Sequence, residues 1–230
     1  MINFQNITKI YYSQNSNPIT ALKGVSFNIL PGEFVSVVGK SGAGKTTLVK
    51  LLIGEEKPTE GKVFFKENEV DRLNANGLQR LRRLVGVVHQ DYKLLPSKTV
   101  RENIEYIMQV IGAGDSDIRR DVPQILDIVG LSEREDNFPS ELSGGEKQRL
   151  AIARGLCHRP EVIVADEPTG NLDIYNTFEI IKLFQKIHRL GTTIILATHN
   201  KEVVDSLEER VVTLEEGRVL RDQKKGKFIL

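Results

Sequence analysis

The sequence predicts an α/β fold built on a parallel sheet covered by helices, and three observations predict it. Residues 162–165 (VIVA) and 193–197 (TIILA) are apolar without alternation, the pattern of strands buried on both faces. A strand, a glycine-rich loop and a helix succeed one another over residues 33–54. From about Pro96 to Cys157 the pattern is helical only, set between two stretches where strand and helix alternate.

Taken in order, INFQNITKIYY, ALKGVSFNIL and EFVSVVG read as strands, and this sheet-like N-terminal third as an antiparallel side sheet. KTTLVKLLIG is a helix ending at Gly54, KPTEGKVFF a turn and strand, LQRLRRL a short basic helix and VGVVHQ a near-continuous apolar strand. Thr99 caps the helix TVRENIEYIMQVIG, and DSDIRRDVPQILDIVGL opens on acids that suit a first turn. IYNTFEIIKLFQKIHRLG is a long helix, and RVVTLEEGRVL closes the fold as a hairpin. The expected organisation is one domain over residues 1–230, with a helical subdomain at 96–157 inserted in the α/β core. The basic C-terminal stretch RDQKKGKFIL reads as a solvated tail, with weak membrane contact as the lesser reading.

Composition narrows the function. A net charge of +1 gives no general case for binding nucleic acid or an anionic membrane surface. The single cysteine, Cys157, excludes an internal disulfide and fits a small residue packed on a helix. The N-terminus lacks the charged start and apolar core of a signal peptide, and no apolar run approaches the ~20 residues that span a bilayer. These features predict a soluble protein.

Gly39-Lys40-Ser41-Gly42-Ala43-Gly44-Lys45-Thr46 fits G-x-x-x-x-G-K-[ST], following a strand and opening a helix as the phosphate-binding P-loop requires. Its glycines let successive N–H groups face the β- and γ-phosphates. Lys45 is placed to neutralise those phosphates and the Thr46 hydroxyl to ligate Mg²⁺. VIVADE supplies the partner acids: Asp166 at a strand's C-terminal end for Mg²⁺, and Glu167 to accept a proton from an attacking water. The expected substrate is ATP.

A second glycine-rich helix start, LSGGE at residues 142–146, has its own N–H groups facing forward. One nucleotide has one phosphate chain, and the P-loop occupies one side of it. The second start therefore has no anion of its own unless two chains pair head to tail. Each would then offer Ser143, Gly144 and Gly145 to the γ-phosphate on the other chain's P-loop. An ordinary Ser-capped helix is the plain alternative.

The order P-loop, Gln90 after an apolar strand, LSGGE, VIVADE, NLD and ATH resembles that of ABC transporter ATPases along essentially the whole chain. The resemblance implies a P-loop NTPase (RecA-like) core with an antiparallel β-subdomain and a helical signature subdomain. It implies that Tyr11, rather than Tyr12, stacks on adenine, and that Lys40, Ser41, Ala43, Thr47 and Glu146 join the nucleotide contacts. Gln90 would sense Mg²⁺ and the attacking water, and His199 would contact the γ-phosphate. Asn171, Leu172 and Asp173 would cross the dimer interface, and residues 91–103 would border a groove for a membrane partner's helix. His89, His158 and His188 receive no role.

Within the family, RRLVGVVHQDYKLLPSKTVRENI and DEPTGNLD look most like the cell-division branch. Such members work with an integral membrane subunit, FtsX, to regulate peptidoglycan hydrolysis from the cytoplasmic face of the bacterial inner membrane. His89 departs from that pattern, where Phe usually precedes the glutamine. This leaves room for sister groups that share GNLD, the lipoprotein-releasing and macrolide-export ATPases. A DNA- or ribosome-acting ABC machine fits poorly, since no coiled-coil insertion parts the P-loop from the signature and no basic face is evident.

Overall fold

The computed structural model describes residues 1–13 and 16–228. The chain forms two compact units, residues 1–82 with 193–230, and residues 83–192. The first unit opens with β1 (Ile2–Ser13) and β2 (Ser16–Ile29), then β3 (Phe34–Val38), α1 (Lys45–Leu52), β4 (Glu60–Phe65), β5 (Asn68–Glu69) and the start of α2 (Ala75–Leu84). Antiparallel pairing gives a sheet of order β2-β1-β4-β5, so the side sheet expected of the N-terminal third forms without β3, whose fully buried residues suit a parallel sheet instead. Phe4 lies opposite both Phe27 and Val63, and its ring stacks on Phe27 at 4.8 Å. A register shift between Phe4 and Ile7, with Asn6 at φ 50°, keeps both apolar side chains buried although they are three residues apart. Arg82 of α2 donates to the carbonyls of Ile53 and Gly54, which end α1 as the sequence predicts.

The second unit begins with β6 (Val85–His89), continues through α3 (Val100–Val110), α4 (Asp115–Val129) and α5 (Gly144–Leu156), and ends with β7 (Val162–Asp166) and α6 (Ile174–Arg189). Thr99 caps α3 with a full capping box to Glu102. Parallel β6 and β7 are in a register that sets His89 opposite Asp166. Cys157 closes α5 with its sulfur 3.3 Å from the Ala153 carbonyl, and burial pushes its thiol up to about 12.

Back in the first unit, β8 (Thr193–Thr198) and β9 (Arg210–Glu215) flank β3 in parallel, and β10 (Arg218–Gln223) pairs antiparallel with β9 as the predicted hairpin. Every residue of β3 and β8 is buried, which explains why neither alternates, only Ser36 in β3 and the terminal Thr193 and Thr198 of β8 being polar. Between β8 and β9 lies α7 (Lys201–Leu207), capped by Asn200.

The C-terminal stretch departs from the expected solvated tail. Residues 218–223 form β10, the Phe228 N–H donates to Asp205 at 2.7 Å, and the Phe228 ring packs on buried Val38, Val204 and Val211. One aromatic among three lysines is enough to anchor the segment against an apolar cluster, a feature that net charge conceals. Ile229 and Leu230, the end of that stretch, lie outside the described residues. Among the described residues no helix is long and apolar enough to cross a membrane.

Candidate nucleotide site

Strand β3 delivers the chain directly into the P-loop. Two of its glycines are required by close approach within their own unit. A Cβ on Gly39 would meet the Leu214 carbonyl at 2.5 Å. One on Gly44, at φ 106°, would meet the Leu22 side chain at 2.6 Å and the Ala21 carbonyl at 2.7 Å. The Ala43 N–H closes on the Lys40 carbonyl at 3.1 Å, so the loop is a compact turn. Lys45 opens α1 and folds back, its Nζ 2.8 Å from the Gly39 carbonyl and 3.2 Å from that of Lys40. Its side chain is only 6% exposed, so the ammonium is held rather than waving in solvent.

Lys40, Ser41, Gly42 and Thr46 are exposed, whereas Ala43, Gly44 and Thr47 are buried. The Thr46 hydroxyl therefore stands at the accessible side of the helix start, while Thr47 faces the packing. In the same unit, His199 follows the last residue of β8 and is exposed. Tyr11 is half-buried with the Lys9 ammonium 4.9 Å from its ring centroid, and Tyr12 is 74% exposed. The Lys9 ammonium thus covers one face of the Tyr11 ring.

The remaining predicted residues belong to the other unit. Asp166 ends β7, and Glu167 follows it in the left-handed region at φ 49°. A non-glycine residue held there costs about 1 kcal/mol or more and is typical of functional positions. Gln90, exposed just after β6, leaves its strand one residue beyond the His89–Asp166 pair. Its side-chain amide donates to the Asn171 side-chain oxygen, and the Asn171 side-chain amide donates to the Gln90 backbone carbonyl, both at a long 3.4 Å. The β6–β7 register and these bonds bring Gln90, Asp166, Glu167 and Asn171 to one end of the strand pair.

The signature start is the Ser-capped helix the sequence allows, and more. Ser143 Oγ accepts from the Glu146 N–H at 3.3 Å, while the Glu146 carboxylate accepts from the Ser143 N–H at 2.8 Å. That backbone hydrogen bond, with the Ser143 hydroxyl next, holds the Glu146 carboxyl below its ordinary range. Glu146 also pairs with Arg134 at 3.3 Å. Gly144 and Gly145, the first two residues after the cap, carry N–H groups that no intrahelical carbonyl can take. Asp173 caps α6, accepting from the Asn176 N–H at 2.8 Å and the Asn176 side-chain amide at 2.6 Å. The Asn176 N–H is the larger cause of a lowered Asp173 carboxyl pKa.

Three residues beyond the predicted set organise this unit. Buried Asn103 donates to the carbonyls of Leu95, Lys98 and Thr99 and accepts from the Leu95 N–H, pinning the loop after Gln90. Arg154 of α5 donates to the Lys93 carbonyl, beside Tyr92 and Lys93 at φ 58° and 52°. Asn176 is the third. Only Asn103 left a signal in the sequence, as a polar residue on the apolar stripe of its helix.

For Mg²⁺ the fit rests on chemistry. Thr46 in the first unit, and Gln90 and Asp166 in the second, each carry a hard oxygen donor. Such donors suit Mg²⁺, which keeps waters and shares substrate phosphates.

Comparison with known proteins gives the family. The ABC transporter family matches residues 22–170. The cell division ATP-binding protein FtsE of Streptococcus pneumoniae is 48% identical over 228 residues, covering 99% of this chain and 97% of the relative. The FtsE proteins of Bacillus subtilis and Escherichia coli are 43% and 42% identical, over 99% and 95% of this chain and 98% and 97% of their own length. Among solved structures, the dimeric post-hydrolysis state of the ATP-binding cassette MJ0796 bound to ADP and Pi superposes with a TM-score of 0.88. It is 35% identical and covers 99% of this chain and 100% of its own. With a P-loop, signature and acidic strand end in the expected order, the chain belongs to the ABC transporter family and is an ABC-type ATPase.

Proposed function

We propose that this ATPase pairs head to tail on ATP and drives or regulates an integral membrane partner of the FtsX type in bacterial cell division. In this reading it controls peptidoglycan hydrolysis from the cytoplasmic face of the inner membrane. The observation that carries the reading is the near-complete alignment with FtsE proteins at 42–48% identity. The dimeric solved structures of the similar cassette MJ0796 support pairing.

The roles follow the family resemblance, with charge and the local geometry in support. The P-loop amides of residues 39–46 and the Lys45 ammonium bind the β- and γ-phosphates, and Tyr11 stacks on adenine. Mg²⁺, held through Thr46, Asp166 and Gln90, supplies neutralisation of phosphate charge when bound. Glu167 orients the attacking water and takes its proton, Gln90 senses Mg²⁺ and that water, and His199 contacts the γ-phosphate. The partner chain's Ser143, Gly144 and Gly145 offer donors to the same phosphate, where they stabilise charge in the transition state. Hydrolysis removes the group that both chains grip, so they part.

The test is a pull-down of the tagged Glu167→Gln chain from native membranes with ATP, the partner being identified by mass spectrometry. A partner of four membrane spans and a large extracellular domain, together with peptidoglycan hydrolases, is expected. A partner with a lipid- or drug-sized translocation path would instead make the chain the motor of a lipoprotein-releasing or macrolide-type exporter.

A further inference from the structure

The second signature glycine, Gly145, has no room for a side chain beside Asn176. A Cβ on Gly145 would fall inside the van der Waals envelope of Asn176 of its own chain, 2.8 Å from Cγ and closer still to Oδ1. A Cβ on Gly144 would meet the Leu172 side chain at 3.3 Å and the Tyr92 hydroxyl at 3.6 Å, again within the chain. Both vectors thus point back into the unit. The space that glycine opens at 145 is filled by Asn176.

Asn176 occupies that space while holding Asp173. Its side-chain amide donates to one carboxylate oxygen at 2.6 Å and its backbone N–H to the other at 2.8 Å, so both oxygens are fixed. One residue therefore touches the signature start on one side and the end of the Asn171–Asp173 loop on the other.

We propose that Asn176 is a positioning residue that locks the signature start to the Asn171–Asp173 loop, and that glycine is required at 145 to admit it. The proposal rests on the head-to-tail reading, in which both elements face the partner chain. Two contact elements on one surface bind a partner well only if their spacing is already set. A hydrogen-bonded amide wedged against a glycine sets it at no cost in ordering on association.

The experiment is a double-mutant cycle in the Glu167→Gln background, with ATP-dependent dimerisation measured by sedimentation and thermal unfolding measured on the same chains. Gly145→Ala is expected to abolish dimerisation. Asn176→Ala should weaken it about tenfold, the loss of one charge-assisted hydrogen bond and the order it imposes. The double variant should match Asn176→Ala alone, because the remaining contact, at 3.3 Å from the Asn176 Cβ, needs only a small adjustment. Thermal unfolding should show the same pattern, Gly145→Ala costing stability only while Asn176 is intact, so a Gly145→Ala chain that folds poorly still reports. If the double variant is as impaired as Gly145→Ala, or Asn176→Ala dimerises like its parent, the proposal is overturned. A parent that stays monomeric with saturating ATP instead brings down the head-to-tail reading and this proposal with it.

Discussion

The Lys45 ammonium lies 2.8 Å from the carbonyl oxygen of Gly39, so the residue that opens α1 reaches back to the residue that opens the loop. This contact keeps a buried positive charge in place where the sequence motif calls for phosphate. Lys45→Ala removes both the charge and the tie across the loop. Its expected effect is a fall in ATP affinity of roughly a hundredfold or more, read by labelled-ATP filter binding. Binding within a few fold of the parent would show that backbone amides alone carry the phosphate.

Gly44 tests the backbone rather than the charge. At φ 106° with a Cβ approach of 2.6 Å to Leu22, alanine here meets both conformational strain and a clash. Gly44→Ala is expected to cost about 2–3 kcal/mol, lowering Tm by roughly 4–12 °C in a chain of this size. Gly42, at φ 81° with open space around it, should lose only the conformational part, about 1 kcal/mol. Equal Tm changes at the two positions would contradict this.

The P-loop, the acidic end of β7 and the signature were legible because each uses a residue type that few alternatives can replace: glycine where a Cβ cannot fit, lysine and acids where charge is needed. The long helices α3, α4 and α6 were legible too, α3 from its Thr99 cap and α4 from the acids of its first turn. What escaped is instructive. Helix α7 has seven residues, too few for a period to show. Phe228 docks through one ring and one hydrogen bond, which charge patterning hides. Asn176 sits in a D-x-x-N cap that reads as local helix chemistry, because its second contact, with Gly145, comes from a distant part of the chain.

Asn103 fixes the loop after Gln90 with four hydrogen bonds and is fully buried. Asn103→Ala leaves those backbone groups to find water or stay unpaired, at about 2–4 kcal/mol. Hydrogen exchange in residues 94–99 should accelerate while the P-loop is unaffected. If exchange in 94–99 is unchanged, the loop is held by something other than Asn103.

The capping box at the signature start makes stability depend on pH in a stated direction. The Glu146 carboxyl is held low, chiefly by the Ser143 backbone N–H, so its folded pKa lies below its unfolded one. The stabilisation is therefore complete above the ordinary carboxylate range and is lost as pH falls through the lowered folded value. The stability gap between the parent and Glu146→Ala should be widest near pH 7 and shrink as pH falls from about 5 to 3, in denaturant titrations. A gap that grows on acidification would reverse the sign and refute the assignment.

Glu167→Gln separates binding from chemistry. The amide keeps the size of the carboxylate and its place after β7, but it cannot take a proton from water. ATP should still bind at the P-loop while the γ-phosphate survives, so the chains that grip it from two sides should stay joined. Light scattering with saturating ATP is expected to give twice the chain mass of 25.9 kDa, and ADP to give the single mass. A variant that remains single with ATP, while still binding it, would mean the signature N–H groups of Gly144 and Gly145 do not grip a partner's phosphate. Ser143 would then be no more than the cap its hydrogen bonds make it, and the two helix starts would have to be explained within one chain.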